Sequence, residues 1–402
     1  MQYDLIIVGG GLNGSALALA AASSGLRSCV IDALPASAQL EEGFDGRAYA
    51  LALSSVRLLQ RLGLWRDLDA HAQPMMEIKV RDGRVGEAQA FLGLHFQSAE
   101  IEEGPMGQMI EDRHLRRALH HALSHEPAIT HLSQRRVIAQ DIRETGASVT
   151  LENGESLQAK LLIGADGRAS PMARRAGLRR TGWSYGQTAL VCAIAHERPH
   201  EGIAHQLFLP AGPLAILPLP GNRSSIVWSE RDSLARAINK LPDQDYLDVL
   251  RPRFGDFLGE ISLAGARYSY PLGLSIANHM IAPRLALIGD AAHGLHPIAG
   301  QGLNAGLRDV ATLAHVLSHA CRRGEDIASP FVLERYATWR RFDVASLGAA
   351  TDIFNKLFSN NNAVLRGLRD MGMSLINATP SLRRNFIREA AGLTGDLPEL
   401  LR

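Results

Sequence analysis

Leu285-Ala286-Leu287-Ile288-Gly289-Asp290-Ala291-Ala292-His293, followed by Pro297 and Gly300-Gln301-Gly302-Leu303-Asn304-Ala305-Gly306, decides how this chain folds. Four apolar residues before Gly289 suit a short strand covered on both faces. Gly289 lets the backbone come close to a ligand, and the Asp290 carboxylate accepts bonds from sugar hydroxyls. Pro297 stiffens the loop that follows. The glycine-rich entry near Gln301 opens a helix whose unpaired N–H groups and dipole favour an anion. An α/β crossover with an acidic turn would explain a lone Gly-Asp equally well. Gly289, Gly300, Gly302 and Gly306 placed around Pro297 favour a bound cofactor over that alternative.

The N-terminus carries a second signal of the same kind. Asp4-Leu5-Ile6-Ile7-Val8 reads as a buried strand and runs straight into Gly9-Gly10-Gly11-Leu12-Asn13-Gly14. A small-residue helix is expected from Ser15 to Ser24, then a strand Cys29-Val30-Ile31 ending on Asp32. In this dinucleotide fingerprint Gly9 makes the tight turn and Gly11 admits a pyrophosphate. Gly14 lets helix and strand pack closely, and Asp32, 18 residues later, faces an adenosine ribose.

The totals exclude several classes. At 402 residues, two domains are the default. A net charge of +1 gives no electrostatic case for nucleic acid. Cys29, Cys192 and Cys321 form no CxxC pair, and the 15 histidines show no HExxH spacing, so no metal site is expected. The chain enters a strand at Tyr3 without a basic, apolar leader, and no apolar run approaches the roughly twenty residues of a membrane span. A cytoplasmic protein is expected, with peripheral attachment to the inner membrane left open.

Between these signals lie weaker ones. Phe44 to Leu51 leads into an amphipathic helix marked by Leu58, Leu59 and Leu62, and Arg47 stands on its approach with a fork suited to phosphate. Met76–Val80 and Ala88–Leu94 read as a hairpin turning at Asp82-Gly83. Asn153-Gly154 predicts a two-residue hairpin turn. Lys160 to Gly167 is another buried strand ending in Asp166-Gly167, with Ser170 as a helix cap. From Thr181 to Tyr270 apolar strands recur between Gly/Pro turns, predicting a second sheet whose apolar face meets the nucleotide unit. Phe354, Leu357, Phe358, Leu365, Leu368, Met371 and Leu375 recur at helical spacing. That face suits the protein's own core, with a membrane- or partner-facing stripe as the other reading.

Three boxes in this order resemble the class A flavoprotein monooxygenases, the group containing para-hydroxybenzoate hydroxylase. They are GxGxxG with Asp32, Ala165-Asp166-Gly167, and Gly289-Asp290 with Pro297 and Gly302-Leu303-Asn304. Asp45-Gly46-Arg47, Gly212 to Pro218 and His296 to Asp309 look closer still to the ubiquinone-biosynthesis hydroxylases. The boxes span about three-quarters of the chain, and the tail beyond Asp309 carries no matching motif.

The resemblance implies FAD, molecular oxygen and hydroxylation of a prenylated phenol through a flavin C4a-hydroperoxide, with reduced nicotinamide or another electron donor. Gly9, Gly11, Leu12, Asn13, Gly14 and Asp32 would hold the ADP half. Arg47 and Arg113 would stand near the pyrophosphate or ribityl chain, and Gly289 and Asp290 at the ribityl or phosphate region. Pro297, Gly300, Gln301, Gly302, Leu303 and Asn304 would face the isoalloxazine. Asp166 belongs to a turn that the family uses for both FAD and nicotinamide. The family often has Asn where this chain has Asp112. No protein base has a motif behind it; His205, Tyr185 and Tyr270 are candidates.

The expected fold is therefore α/β: a Rossmann-like FAD-binding domain with an inserted mixed β-sheet substrate domain and a helical C-terminus. The expected FAD domain is discontinuous, over 1–75, 98–180 and 273–340. The substrate domain takes 76–97 and 181–272, and 341–402 forms the helical segment, a candidate for membrane or biosynthetic-complex contact. A prenyl-lipid reductase of similar fold and a non-catalytic subunit of a ubiquinone-biosynthesis assembly are the rival readings.

Overall fold

Tyr3–Val8 runs through the middle of an eight-stranded sheet in the computed structural model, which describes residues 2–82, 93–295, 300–358, 376 and 378–402. Its parallel neighbours are Ser156–Gly164 and Ser28–Ile31, and Leu285–Leu287 and Ile129–Leu132 extend the parallel set on either side. Leu5, Ile6 and Ile7 are all fully buried, so the strand is covered on both faces, as its unbroken apolar run requires. The register aligns Val8 with both Gly164 and Ile31, and Gly164 with Leu287. The turns that follow these strands therefore leave along one edge. They carry Gly9–Gly14, Asp32, Asp166 and Gly289–Asp290, at the edge where open α/β sheets bind ligands.

The first helix is Leu12–Ala22, three residues earlier than the sequence suggested, because Gly11 itself is the N-cap and the backbone enters the helix without a spacer. The helix Gln301–Arg322 lies alongside it. The Asn153-Gly154 hairpin is one residue longer than expected. Leu151 N–H bonds Glu155 C=O, Gly154 N–H bonds Leu151 C=O, and Gly154 takes φ +84°. That left-handed residue ends a three-residue connection, a geometry that an Asn-Gly pair serves as readily as the two-residue turn.

The second sheet has nine strands and is antiparallel except where Glu77–Asp82 runs parallel to Ile203–Leu209. Glu77–Asp82 pairs with Gly93–Gln97, while the turn expected at Asp82-Gly83 lies outside the described residues. Leu190, Cys192, Ile194, Ile216 and Trp228 on one face pack under the helices Asp232–Ile238 and Asp243–Phe254. Ala193, Ala204 and Leu217 on the other face meet Phe44, Ala48 and Ala50 of the nucleotide unit. A three-stranded sheet of Ala48–Ala52, Gly107–Glu111 and Gln73–Pro74 joins the two layers.

The tail forms the helices Pro330–Phe358 and Pro380–Ala390. Buried Ile387 and the ion pairs Arg383–Glu100 and Arg388–Glu103 fasten the second helix to the segment after Gly93–Gln97. The apolar series from Phe354 to Leu375 falls on side chains outside the described residues.

Candidate functional site

The phosphate end is built by glycines of two kinds. A Cβ on Gly9 would lie 2.2 Å from the Ala165 carbonyl oxygen, and one on Gly14 would lie 1.9 Å from the Gly9 oxygen. These two are fixed by the protein's own packing. A Cβ on Gly11 or on Gly302 would meet no heavy atom within 4 Å. Among the described residues, neither Leu12–Ala22 nor Gln301–Arg322 has a side-chain cap bond or an acidic residue in its first turn, so the positive end of each dipole faces the glycine turn that leads in. Gly300, at φ +65°, provides the left-handed entry to the second helix. Asp32 is 7% exposed beside Gly10, with Oδ1 accepting the Leu34 amide at 2.9 Å.

Asn13 links the two helices. Its side chain fills the space against both Gly289 and Gly306, where an added Cβ would fall 2.3 Å from Asn13 Nδ2. Its Oδ1 is buried without a hydrogen-bond partner among the described residues. Gly306 is therefore explained by Asn13 and not by contact with a ligand.

Asp290 is exposed at the strand edge, in a turn held from two sides. From below, fully buried Asp309 accepts the Gly289 amide at 2.8 Å, His293 Nε2–H at 2.6 Å and Arg340 Nε–H at 2.7 Å. Burial works against the Asp309 carboxylate, but His293 and Arg340 overcome it and hold its pKa below the usual range. Tyr336 donates to the Leu287 carbonyl at 2.8 Å and secures the strand that leads in. From the other sheet, Arg180 donates to the carbonyls of Asp290 and Ala291 and, at 2.8 Å, to Ser275 Oγ.

Asn304 is nearly buried and fully committed. Its Nδ2 donates to the carbonyls of Ala50 at 2.8 Å and Gly300 at 3.0 Å, and its Oδ1 accepts Ala52 N–H and Ser55 O–H, both at 2.8 Å. It ties the helix start to the Ala48–Ala52 strand. Opposite Ala50 lies the inner face of the second sheet. Cross-strand pairing places Tyr268, Val191, Val227, Ala215 and Gln206 in one row on that face, each partly exposed. The row has an apolar centre and runs toward Arg47, which sits 5.7 Å from the Tyr268 ring.

Arg47 is held by Asp45 at 2.6 Å and by Asp112 at 3.1 Å. Burial opposes its charge, yet those carboxylates raise its pKa. Asp112, where the resembling family often has Asn, also binds Arg116 at 2.6 Å. Arg113 pairs with Glu111 at 2.7 Å, donates to the Glu42 carbonyl and stacks over Phe44.

A family model described as FAD binding domain matches residues 2–347. The chain belongs to the FAD-binding domain family. Over 99% of its length and 92% of the relative's, it is 45% identical to the ubiquinone hydroxylase UbiL of Rhodospirillum rubrum. It is 34% identical to the 3-demethoxyubiquinol 3-hydroxylase of Escherichia coli, over 97% of this chain and 98% of that one. The fold matches p-nitrophenol 4-monooxygenase PnpA from Pseudomonas putida with a TM-score of 0.79 and 20% identity, covering 98% of each chain.

The residues of this family member fit FAD: two open glycine turns at uncapped helix starts, a ribose-side carboxylate at Asp32, and the orphaned Asn13 oxygen between them. Gly9, Gly11, Leu12, Asn13, Gly14, Asp32, Gly289, Asp290, Gly300, Gln301, Gly302, Leu303 and Asn304 gather along the same sheet edge and the helix beside it. Pro297 lies outside the described residues. Asp166 is occupied structurally, accepting Ser170 O–H at 2.5 Å and Met172 N–H at 2.9 Å, with burial raising its pKa in spite of these bonds.

His205 is corrected as a candidate base. Its ring lies 4.5 Å from Phe257 on the helix-covered face of the sheet, opposite to the Val191 row. Burial, with Arg81 and Lys79, pushes its pKa down to about 4. Strand alternation fixes two faces but not which one is inward when both are covered. Sequence reasoning also passed over Arg180, His293, Asp309 and Arg340 as the frame of the Asp290 turn. His293 and Asp309 stood in the quoted motif, whereas Arg340 had no local signal.

Proposed function

We propose that this chain is an FAD-dependent monooxygenase that hydroxylates the ring of a prenylated phenol in ubiquinone biosynthesis, with O2 as co-substrate and a reduced nicotinamide or another electron donor. The observation that carries the reading is the apolar row Val191–Val227–Ala215 on the sheet face that meets Ala50, the residue beside Gly300. The names of the relatives, ubiquinone hydroxylase and 3-demethoxyubiquinol 3-hydroxylase, support the same substrate class.

Bound FAD supplies the acceptance of hydride and the activation of oxygen. This chain's residues do the rest. Gly11 and the Leu12–Gly14 amides receive the pyrophosphate, Asp32 a ribose, and Asp290 the ribityl region. Amides of Gln301 to Leu303 would lie toward the isoalloxazine of bound FAD and favour negative charge there. The sheet row holds the phenol flat and keeps water out. No arginine lies between His205 and Pro220 to clamp a carboxylate, which favours an apolar substituent over a benzoate.

We place membrane contact in the same proposal. Leu382 and Phe386, 40% and 41% exposed and one turn apart, suit a lipid surface from which the substrate is drawn.

Oxygen consumption and hydroxylated product are to be compared for a 2-prenylphenol and 4-hydroxybenzoate at one enzyme concentration, with 18O-labelled O2. Tight coupling and label incorporation are expected for the prenylphenol alone. Coupling on 4-hydroxybenzoate and none on the prenylphenol would overturn the substrate class. A reduced, unlabelled product would favour the prenyl-lipid reductase.

A further inference from the structure

The partly exposed row on the inner face of the second sheet carries a carboxamide. Gln206 pairs across the strands with Ala215 on one side and Val80 on the other. Ala204 and Phe208 stand two residues before and after it on its own strand, on the same face. All four neighbours are apolar. The Gln206 side chain is partly exposed and, among the described residues, has no hydrogen-bond partner. Tyr268, the other polar member of the row, is already engaged: it hydrogen-bonds Asp45 and lies 5.7 Å from the Arg47 guanidinium. Between the two the row is Val191, Val227 and Ala215.

Gln206 also stands near the cofactor seat. Ala204, about 7 Å back along the strand, shares an apolar cluster with Ala50. A Cβ on Gly300, at the entry to the Gln301–Arg322 helix, would lie 2.9 Å from that of Ala50.

We propose that the Gln206 carboxamide receives the hydroxyl of the substrate's phenol ring. The proposal rests on the prenylated-phenol reading above and adds the side chain that recognises the ring oxygen. In the free protein, water serves a partly exposed amide. A ring lying on Val227 and Ala215 displaces that water, and an amide left unpaired among four apolar side chains is costly. The ligand must therefore bring a polar group to this point. The amide oxygen accepts the phenol O–H, and because the group is neutral the proton stays on the phenol. For the same reason it gives no counter-charge to a benzoate. A ring without the hydroxyl leaves the amide unpaired and is disfavoured.

The test uses the FAD-loaded full chain and two ligands, 2-prenylphenol and prenylbenzene, which differ by the hydroxyl. Dissociation constants are measured by equilibrium titration of the flavin absorbance. The unaltered chain should bind the phenol at least about tenfold more tightly. In Gln206→Leu, similar in size and without the amide, that preference should fall about tenfold, with FAD content reporting that the protein has folded. Gln206→Met replaces it if the leucine variant misfolds. Gln206→Glu keeps an acceptor at the same reach and should retain most of the preference, which a role in packing alone would not predict. An unchanged preference in Gln206→Leu or Gln206→Met, or an equal loss in Gln206→Glu, would overturn the assignment while leaving the prenylated-phenol reading intact. Failure of the unaltered chain to bind either compound would overturn both.

Discussion

The carboxylate of Asp309 accepts the backbone N–H of Gly289 at 2.8 Å, so a residue about two turns inside a helix sets the turn that presents Asp290. The same carboxylate is the buried partner of Arg340 and His293.

Asp309→Asn should leave Arg340 with only the partly exposed Asp343 carboxylate, 2.6 Å from its guanidinium, and cost about 3 kcal/mol of folding stability, read by urea unfolding at pH 7. Its pKa is depressed in the folded chain, so its contribution is present above the unfolded value of about 3.9 and is lost as pH falls through the lower folded value. The gap between variant and parent should therefore narrow below about pH 4. A gap that stays constant into acid would show that charge at Asp309 does not matter.

Gly306→Ala would drive a Cβ into the Asn13 side chain, 2.3 Å from Nδ2 and 2.7 Å from Cγ. An overpacking cost of about 1–3 kcal/mol is expected. Asn13→Ala removes every atom in that clash, so the double variant should recover most of the loss. A double-mutant cycle with no coupling would separate the two residues.

Asp290→Ala should weaken FAD binding about ten- to a hundredfold, the worth of one charge-assisted hydrogen bond. Because the carboxylate is exposed, the melting temperature of the apoprotein should barely move. A variant that purifies yellow and keeps its flavin on dilution would remove Asp290 from the site.

His205, with its pKa pushed down from 6.5 to about 4, binds fewer protons folded than unfolded between those values. Stability should then fall as pH drops through that window, and His205→Gln should make the fall shallower. Equal slopes in the two proteins would contradict the burial of this imidazole.

What could be read in advance was local. The run from Asp4 to Asp32 holds strand, glycine turn, helix and carboxylate within one short stretch, and each part constrains the next. The Gly289–Gly306 run was legible for the same reason. Arg340 was not, because its partner Asp309 lies 31 residues away and nothing in the residues around Arg340 points to that pairing. Gly306 was placed correctly on the helix, but its packing could not be read, since its neighbour Asn13 is almost 300 positions earlier and only the fold brings them together. His205 shows the remaining limit: period-two alternation sorts side chains into two sets, and only the layer stacked on each set tells them apart.

Arg180 begins the long strand Arg180–His196, whose far portion carries Val191. One strand thus grips the Asp290 turn through the Arg180 side chain at its start and carries the proposed substrate wall further along. Side chains on that wall are changeable without loosening the grip, since the ladder bonds and Arg180 fix the strand whatever Val191, Val227 or Ala215 becomes. Selectivity and cofactor retention are mechanically separable in this scaffold. A library confined to those three positions would explore new aromatic substrates on a flavin seat that stays put.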